Sequence, residues 1–473
     1  MDRRRFVTKT SMATTAVLLS QYTKAWGEDN GFKVVRTPED KRKFKSQAVE
    51  DLIAEVKKNI GNKELAWLFE NCFPNTLDTT VDFTKDKYGP DTYVITGDID
   101  AMWLRDSSAQ VWPYLPLCTK DENLKQLIKG VIMRHVKCIL WDPYANAFYK
   151  DRTKEGPWHK DRTNMKKGVH ERKWEIDSLC YPIRLAYGYW KATGDNTIFD
   201  ANWAAAMNIV VRTFREQQRM DSNGPYHFQR MTEVSTDTVP MSGYGYPVKP
   251  NGLICSAFRP SDDATVYSYL IPSNYFAQAS LIQMKEMFTA SASKLDMKEF
   301  NLLFDSLSGA LKTETTDQHK VHGEIYAYET NGFGSINLMD DANVPSLLSL
   351  SYLVAGMEND KVYANTRKFV LSADNPFFYK GKAGEGVGGP HVGADYIWPL
   401  SIAIRGITSK DDEEIKLCLK MLQNSHAGTG FMHEGFYKDE AKKFTRAWFA
   451  WANTLFGEFI WKVYREKPQL LNS

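Results

Sequence analysis

Three short segments of the chain gather carboxylates, cations and aromatic rings: Trp103-Leu104-Arg105-Asp106-Ser107-Ser108, Phe258-Arg259-Pro260-Ser261-Asp262-Asp263-Ala264 and Phe431-Met432-His433-Glu434-Gly435-Phe436. That mixture suits a carbohydrate, because flat rings pack on the C–H face of a pyranose while charged groups hold vicinal hydroxyls through bidentate hydrogen bonds. Cleaving a glycosidic bond needs a protonated carboxyl to protonate the leaving oxygen and a second carboxylate acting as base or nucleophile. Asp262 or Asp263 with Glu434 is the natural pair. Each residue also has a plainer role open to it. An Asp pair after Pro-Ser can cap a helix, Arg105–Asp106 can be a buried ion pair, and His433–Glu434 a solvated loop pair.

These segments must be held by a scaffold, and the apolar period describes one. Leu124, Leu127, Ile128, Val131, Ile132, Val136 and Ile139 recur at helical spacing. The same pattern returns near 41–60, 63–73, 103–117, 175–193, 196–218, 273–290, 294–313, 343–356, 360–372, 394–408, 411–424 and 444–465. Turns such as Ala192-Thr193-Gly194-Asp195 and Thr408-Ser409-Lys410-Asp411 join these stretches as antiparallel helical hairpins. Aromatic, Gly-rich segments at 75–102, 142–174, 220–272, 314–342 and 373–393 lie between the pairs, where long loops on a rigid scaffold build sites. An all-helical array in one domain follows, since no Pro/Ser-rich linker divides the chain.

The 60 Lys+Arg and 58 Asp+Glu residues are balanced, so no strong field favours nucleic acid or an anionic membrane. Arg3, Arg4 and Arg5 ahead of Phe6-Val7, then an uncharged run from Ser11 to Ser20 and Thr23-Lys24-Ala25, read as an export signal of twin-arginine type. The expected division is a signal at 1–25 and a catalytic domain at 26–473, periplasmic or secreted; removing the signal leaves 55 basic residues facing 57 acidic ones. No stretch reaches the ~20 apolar residues of a membrane span. The six cysteines, Cys72, Cys118, Cys138, Cys180, Cys255 and Cys418, show no zinc-like spacing and read as buried thiols, with one or two disulfides allowed by an oxidising compartment.

The run Gly97-Asp98-Ile99-Asp100-Ala101-Met102-Trp103-Leu104-Arg105-Asp106-Ser107-Ser108, with Arg259-Pro260-Ser261-Asp262-Asp263, Ile271-Pro272-Ser273-Asn274 and Met432-His433-Glu434, resembles glycoside hydrolase family 125 along the whole mature chain. The resemblance implies an (α/α)6 barrel and exo-action on non-reducing α-1,6-linked mannose, with inversion and without metal or other cofactor. It implies that the aspartate of the Arg-Pro-Ser-Asp-Asp segment is the general acid, Asp262 being preferred to Asp263, and that Glu434 is the general base. The acid should then have a raised pKa and the base stay ionised. Arg105 and Asp106 are expected to clamp the terminal sugar against Trp103. Arg172, Lys173, Asp341, Asn343, His391 and His433 are expected around the same pocket. Glu175 and Asp177, two apart, are expected to diverge on a helix. The expected partner is a mannose-containing oligosaccharide or glycan, bound by a monomer. The competing readings are a glucoamylase-like glycosidase of the same fold, a sugar epimerase using His391 and His433 for proton transfer, and a glycan-binding protein without turnover.

Overall fold

Side-chain caps divide the helices into two sets. In the computed structural model, which describes residues 32–472, seven helices begin at a polar residue whose side chain accepts from the first free backbone N–H groups. They are Gln47–Asn59, Lys63–Cys72, Glu122–Trp141, Ala201–Gln217, Met297–Thr313, Lys361–Val370 and Asp412–Ser425, capped by Ser46, Asn62, Asp121, Asp200, Asp296, Asp360 and Asp411. Apart from the five-residue Asn75–Thr79, which also has none, six others lack a side-chain cap: Leu104–Val111, Ile176–Thr193, Ile271–Thr289, Leu350–Leu353, Pro399–Ile407 and Ala450–Glu466. The residues before them are Trp103, Glu175, Leu270, Ser349, Trp398 and Phe449.

The uncapped helices form an inner ring. Leu104–Val111 packs on Ile176–Thr193, which packs on Ile271–Thr289 and through it on Leu350–Leu353; Pro399–Ile407 packs on Ala450–Glu466, which returns to Leu104–Val111. Each of the first five is followed in sequence by a capped outer helix, and Lys63–Cys72 with Gln47–Asn59 beside it covers the sixth, Ala450–Glu466. This is the (α/α)6 barrel. Its apolar core fills the space between the rings, as the amphipathic period requires.

Every outer-to-inner connection therefore emerges at one end of the barrel, beside the inner N-termini: 73–103, 142–175, 218–270, 314–349, 371–398 and 426–449. Three small antiparallel sheets staple these connections in pairs. Met102–Trp103, Ala147–Phe148 and Val169–Glu171 join the first two; Tyr269–Leu270, Glu329–Thr330 and Ile336–Asn337 the next two; Tyr396–Ile397, Gly435–Tyr437 and Glu440–Thr445 the last two.

The sequence overextended several helices. The stretch at 394–408 becomes helical only from Pro399, whose fixed φ suits a first turn, and 444–465 only from Ala450, because Glu440–Thr445 pairs as a strand. The period at 343–356 yields only Leu350–Leu353; ahead of it the Asp340 carboxylate takes the amides of Leu347 and Leu348. Proline splits 103–117 into an α-helix and the 3₁₀ turn Trp112–Leu117. All six cysteines are buried and unpaired. Among the described residues no helix is long and apolar enough to cross a membrane. The proposed signal segment at 1–25 lies outside the described residues.

Candidate active site

Because the site-bearing segments all leave the same end of the barrel, residues far apart in sequence converge on one arginine. Arg105, in the first turn of an inner helix, lies within reach of four carboxylates: Nη1 is 2.6 Å from Glu175 Oε2 and 3.1 Å from Asp177 Oδ2, Nε is 3.5 Å from Asp106 Oδ2, and Nη2 is 3.6 Å from Asp262 Oδ1. The expected divergence of Glu175 and Asp177 does not occur. Glu175 is the extended residue before the helix (φ −129°, ψ 129°), so helical spacing does not govern it, and both side chains reach the same Nη1. Burial pushes Glu175 well above the ordinary carboxylate range, with Asp262 and Asp177 adding to the rise and Arg105 opposing it. Burial likewise pushes Asp177 up to about 6 against the pull of Arg105.

Asp262 is held in a conformation that non-glycine residues avoid, φ 65°. Three contacts fix it there. Its amide donates to the Arg259 carbonyl at 2.9 Å, its carbonyl accepts from Lys173 Nζ at 2.7 Å, and its Oδ1 accepts from Asn146 Nδ2 at 3.1 Å. Arg259 is anchored in turn by Glu329 at 2.7 Å. The neighbouring Asp263 points elsewhere, as adjacent residues on a turn do. Its Oδ1 faces His391 Nδ1 at 3.6 Å. Burial would raise its pKa, but His391, Thr236 and Arg259 more than offset this and hold it below the ordinary value. A carboxyl held this way is a poor proton donor.

Glu434 belongs to the sixth connection, where Arg446 Nη1 donates to its Oε1 at 3.2 Å. The same guanidinium grips Asp98 Oδ1 at 2.6 Å and lies over the Phe449 ring. Asp106 stands between the two halves of the site. Its Oδ1 accepts from Thr96 Oγ1 at 2.6 Å, burial raises its pKa, and its field couples both to Asp262 and to Arg446.

Several of the expected sugar contacts are engaged with protein groups. Lys173 is fully buried and presents no group to the pocket: Nζ donates to Asp237 at 2.7 Å and to the Asp262 carbonyl, with Glu171 at 3.5 Å. Arg172 lies beside the stacked rings of Tyr144 and Tyr226 and donates to Asp142 and Thr163. His433 stacks face to face on Phe444, with ring centroids 3.7 Å apart. Burial lowers its pKa to about 4, so it is neutral at neutral pH, a poor start for the proton shuttle that an epimerase would need. Trp103 sits in a small apolar cluster of its own with Ala101, Ala147 and Tyr149, and its ring meets His170 edge-on. Asp341 accepts from Ser261 at 2.9 Å, and the buried Asn343 keeps its Nδ2 without a protein partner. Among the described residues one group has metal-ligand spacing, His319, His322 and Asp374; none of the three is an expected site residue.

Sequence reasoning missed Asn146, Arg446 and the role of Glu175. Asn146 carried no signal, being one amide in a loop. Arg446 did carry one, since a lone Arg twelve residues after a candidate base, in a segment assigned to a helix, would have drawn notice had the segment been read as a loop.

A helical barrel with clustered carboxylates, arginines and aromatic rings at the N-terminal end of its inner helices defines a carbohydrate-active enzyme of the (α/α)6 class. Residues 62–461 match the family described as metal-independent alpha-mannosidase, glycoside hydrolase family 125, and the chain belongs to that family. It is 41% identical over 448 residues to the Meiotically up-regulated gene 157 protein of Schizosaccharomyces pombe, covering 91% of this chain and 88% of that one. A Streptococcus pneumoniae structure from the same family, a non-productive substrate complex with alpha-1,6-mannobiose, superposes with a TM-score of 0.86 at 38% identity, covering 90% of this chain and all of the other.

Proposed function

We propose that the chain is an exo-acting, inverting α-mannosidase that removes non-reducing terminal α-1,6-linked mannose, with Asp262 as general acid and Glu434 as general base. One observation carries the reading: the two carboxyl groups sit in opposite electrostatic company. Asp262 shares its surroundings with Glu175, Asp177 and Asp106 around a single arginine, an arrangement that favours a held proton. Glu434 instead has the Arg446 guanidinium against it, 3.2 Å from its Oε1. The pneumococcal relative, described with α-1,6-mannobiose, supports the linkage.

In this mechanism Asp262 gives its proton to the glycosidic oxygen as the anomeric C–O bond breaks. Glu434 takes a proton from the water whose oxygen bonds to the anomeric carbon from the opposite face, and exchange with solvent resets both groups. Trp103 supplies the apolar wall, while Asp341 and Asn343 offer polar atoms to the sugar hydroxyls. We further read residues 1–25 as an export signal and the enzyme as a monomer acting on mannose-containing glycans in the periplasm or outside the cell.

The test is NMR-monitored hydrolysis of α-1,6-mannobiose in EDTA. Initial release of β-mannose supports the reading. Losses of roughly 10³-fold or more are expected in Glu434→Gln and Asp262→Asn, with a smaller loss in Asp263→Asn. Initial release of α-mannose, or full activity in Glu434→Gln, refutes the assignment.

A further inference from the structure

The four carboxylates around Arg105 pose a question that the two-residue mechanism leaves open: which neighbour keeps the general acid protonated at neutral pH. Asn146 supplies the geometric answer. Its Oδ1 accepts the Lys173 amide at 3.1 Å, which fixes the side-chain orientation and turns Nδ2 toward three carboxylate oxygens: Glu171 Oε2 at 3.3 Å, Glu175 Oε1 at 3.3 Å and Asp262 Oδ1 at 3.1 Å. An amide nitrogen has two hydrogens for these three acceptors. Glu171 has Arg230 as a further donor at 3.0 Å. Glu175 and Asp262 are left as hydrogen-bonding neighbours that converge both on Nδ2 and on the Arg105 guanidinium, Glu175 on Nη1 and Asp262 on Nη2.

We infer that Glu175 and Asp262 share one proton, and that Glu175 is the positioning residue that keeps the general acid charged with it. Two carboxylates in one site cannot both ionise cheaply, so the first proton is held far more tightly than by either alone. The other groups facing the pair are Arg105 and Asp106 from the first turn of one inner helix, Asp177 and Ser178 from the next, Glu171 and Lys173 from the stapled strand and its extension, and Tyr226. The Arg105 guanidinium directly meets both members. In the cycle, the proton that leaves for the glycosidic oxygen comes from Asp262 while Glu175 stays bonded to it; the replacement arrives from solvent after Glu434 releases the proton taken from water.

The inference rests on Asp262 being the acid, and the experiment separates the two. The pH dependence of kcat/KM is measured for wild type, Glu175→Gln, Asn146→Leu and Asp262→Asn on two substrates. α-1,6-Mannobiose needs a general acid, whereas 2,4-dinitrophenyl α-mannoside has a leaving group that departs without one. Glu175→Gln should move the alkaline limb for mannobiose about 1 pH unit lower and cut the rate at neutral pH by roughly tenfold or more, leaving the dinitrophenyl rate close to wild type. Asn146→Leu removes a donor shared by both carboxyl groups and should move the same limb to higher pH, a sign that mere loosening of the site does not produce. A limb that stays in place in both variants, or an equal loss on both substrates in Glu175→Gln, overturns the shared proton. An equal loss on both substrates in Asp262→Asn overturns instead the assignment of the acid. If Glu175→Gln does not fold, the direction of the Asn146→Leu shift decides.

Discussion

Replacing Lys173 by Met should damage stability and turnover through separable routes. The ammonium is completely buried, 2.7 Å from Asp237 Oδ1, 2.7 Å from the Asp262 carbonyl and 3.5 Å from Glu171 Oε1. Its loss takes one cation away from Asp237 and Glu171, and the neighbouring Arg230 already serves Asp161 at 2.6 Å. Stranding one partner of a buried ion pair costs about 3–5 kcal/mol. A chain of this size unfolds with an entropy near 1 kcal/mol/K, so the melting temperature should fall by about 3–5 °C. The lost bond to the Asp262 carbonyl is a different matter. A non-glycine residue at φ 65° stores about 1–3 kcal/mol, and with one of its three restraints gone Asp262 relaxes away from the aim that catalysis needs. A tenfold to hundredfold fall in kcat is expected, with little change in KM. The double variant Lys173→Met/Asp237→Asn removes the stranded charge, so it should recover part of the thermal loss and none of the turnover. Differential scanning calorimetry beside steady-state kinetics reads both. If turnover returns together with stability, Lys173 acts through charge balance alone and the backbone restraint argued here is wrong.

Arg446→Gln removes the cation that both Asp98 and Glu434 contact, and kcat on mannobiose should drop by roughly 10²-fold with the fold retained; a change confined to KM would assign Arg446 to substrate binding instead. The contribution of the buried histidines to stability should also fall as the medium is acidified, while Asp177, pushed up to about 6, and Asp340, pushed up to about 8, contribute in the opposite sense. Burial holds His433 near 4 and His135 near 3, below the ~6.5 of an unfolded chain. The unfolded state therefore binds more protons between those values, and stability present above pH 6.5 is lost on the way down. Each histidine accounts for about 2 kcal/mol between pH 7 and pH 5; urea titrations in which His135→Gln and His433→Gln show the same pH dependence of the unfolding free energy as wild type contradict this. Finally, no thiol should react with Ellman's reagent in the native enzyme, and six should react in guanidinium, because every cysteine is buried and unpaired. Fast labelling without denaturant would mean that the core around them opens.

The inner and outer helices were largely legible because their signal is periodic: the run ending at Ile139 and the capping aspartates at 200, 296, 360 and 411 mark outer helices that the structure reproduces. What the sequence hid has a common cause. Pro399 and the strand Glu440–Thr445 cut short stretches whose apolar spacing continued into the loops. Residue types pointed to the three site segments, but their partners came from loop geometry. Glu175 joins Asp177 on Arg105 only because it stands just outside the helix, Asn146 reaches across from the preceding connection, and Lys173 turns inward as a support instead of outward as a ligand. Whether a lysine meets a sugar or a backbone carbonyl is set by the last few dihedrals of a loop, which composition does not record.

The three staples have a consequence for how this enzyme can be altered. Trp103 belongs to the first staple, Asp262 to the connection feeding the second, and Glu434 borders a strand of the third. The proposed acid and base are therefore carried by separate clamps, joined through the ring of inner helices beneath them. Rim hairpins such as Thr316–His319 with Gly323–Tyr326, which packs on the outer helix Lys361–Val370, can be lengthened, shortened or exchanged with the spacing of acid and base left as it is. The opposite holds for the ring: a bulkier residue at Gly406, whose added Cβ would meet the Phe459 ring at 2.3 Å, would spread two inner helices and retune the spacing of groups that it never touches.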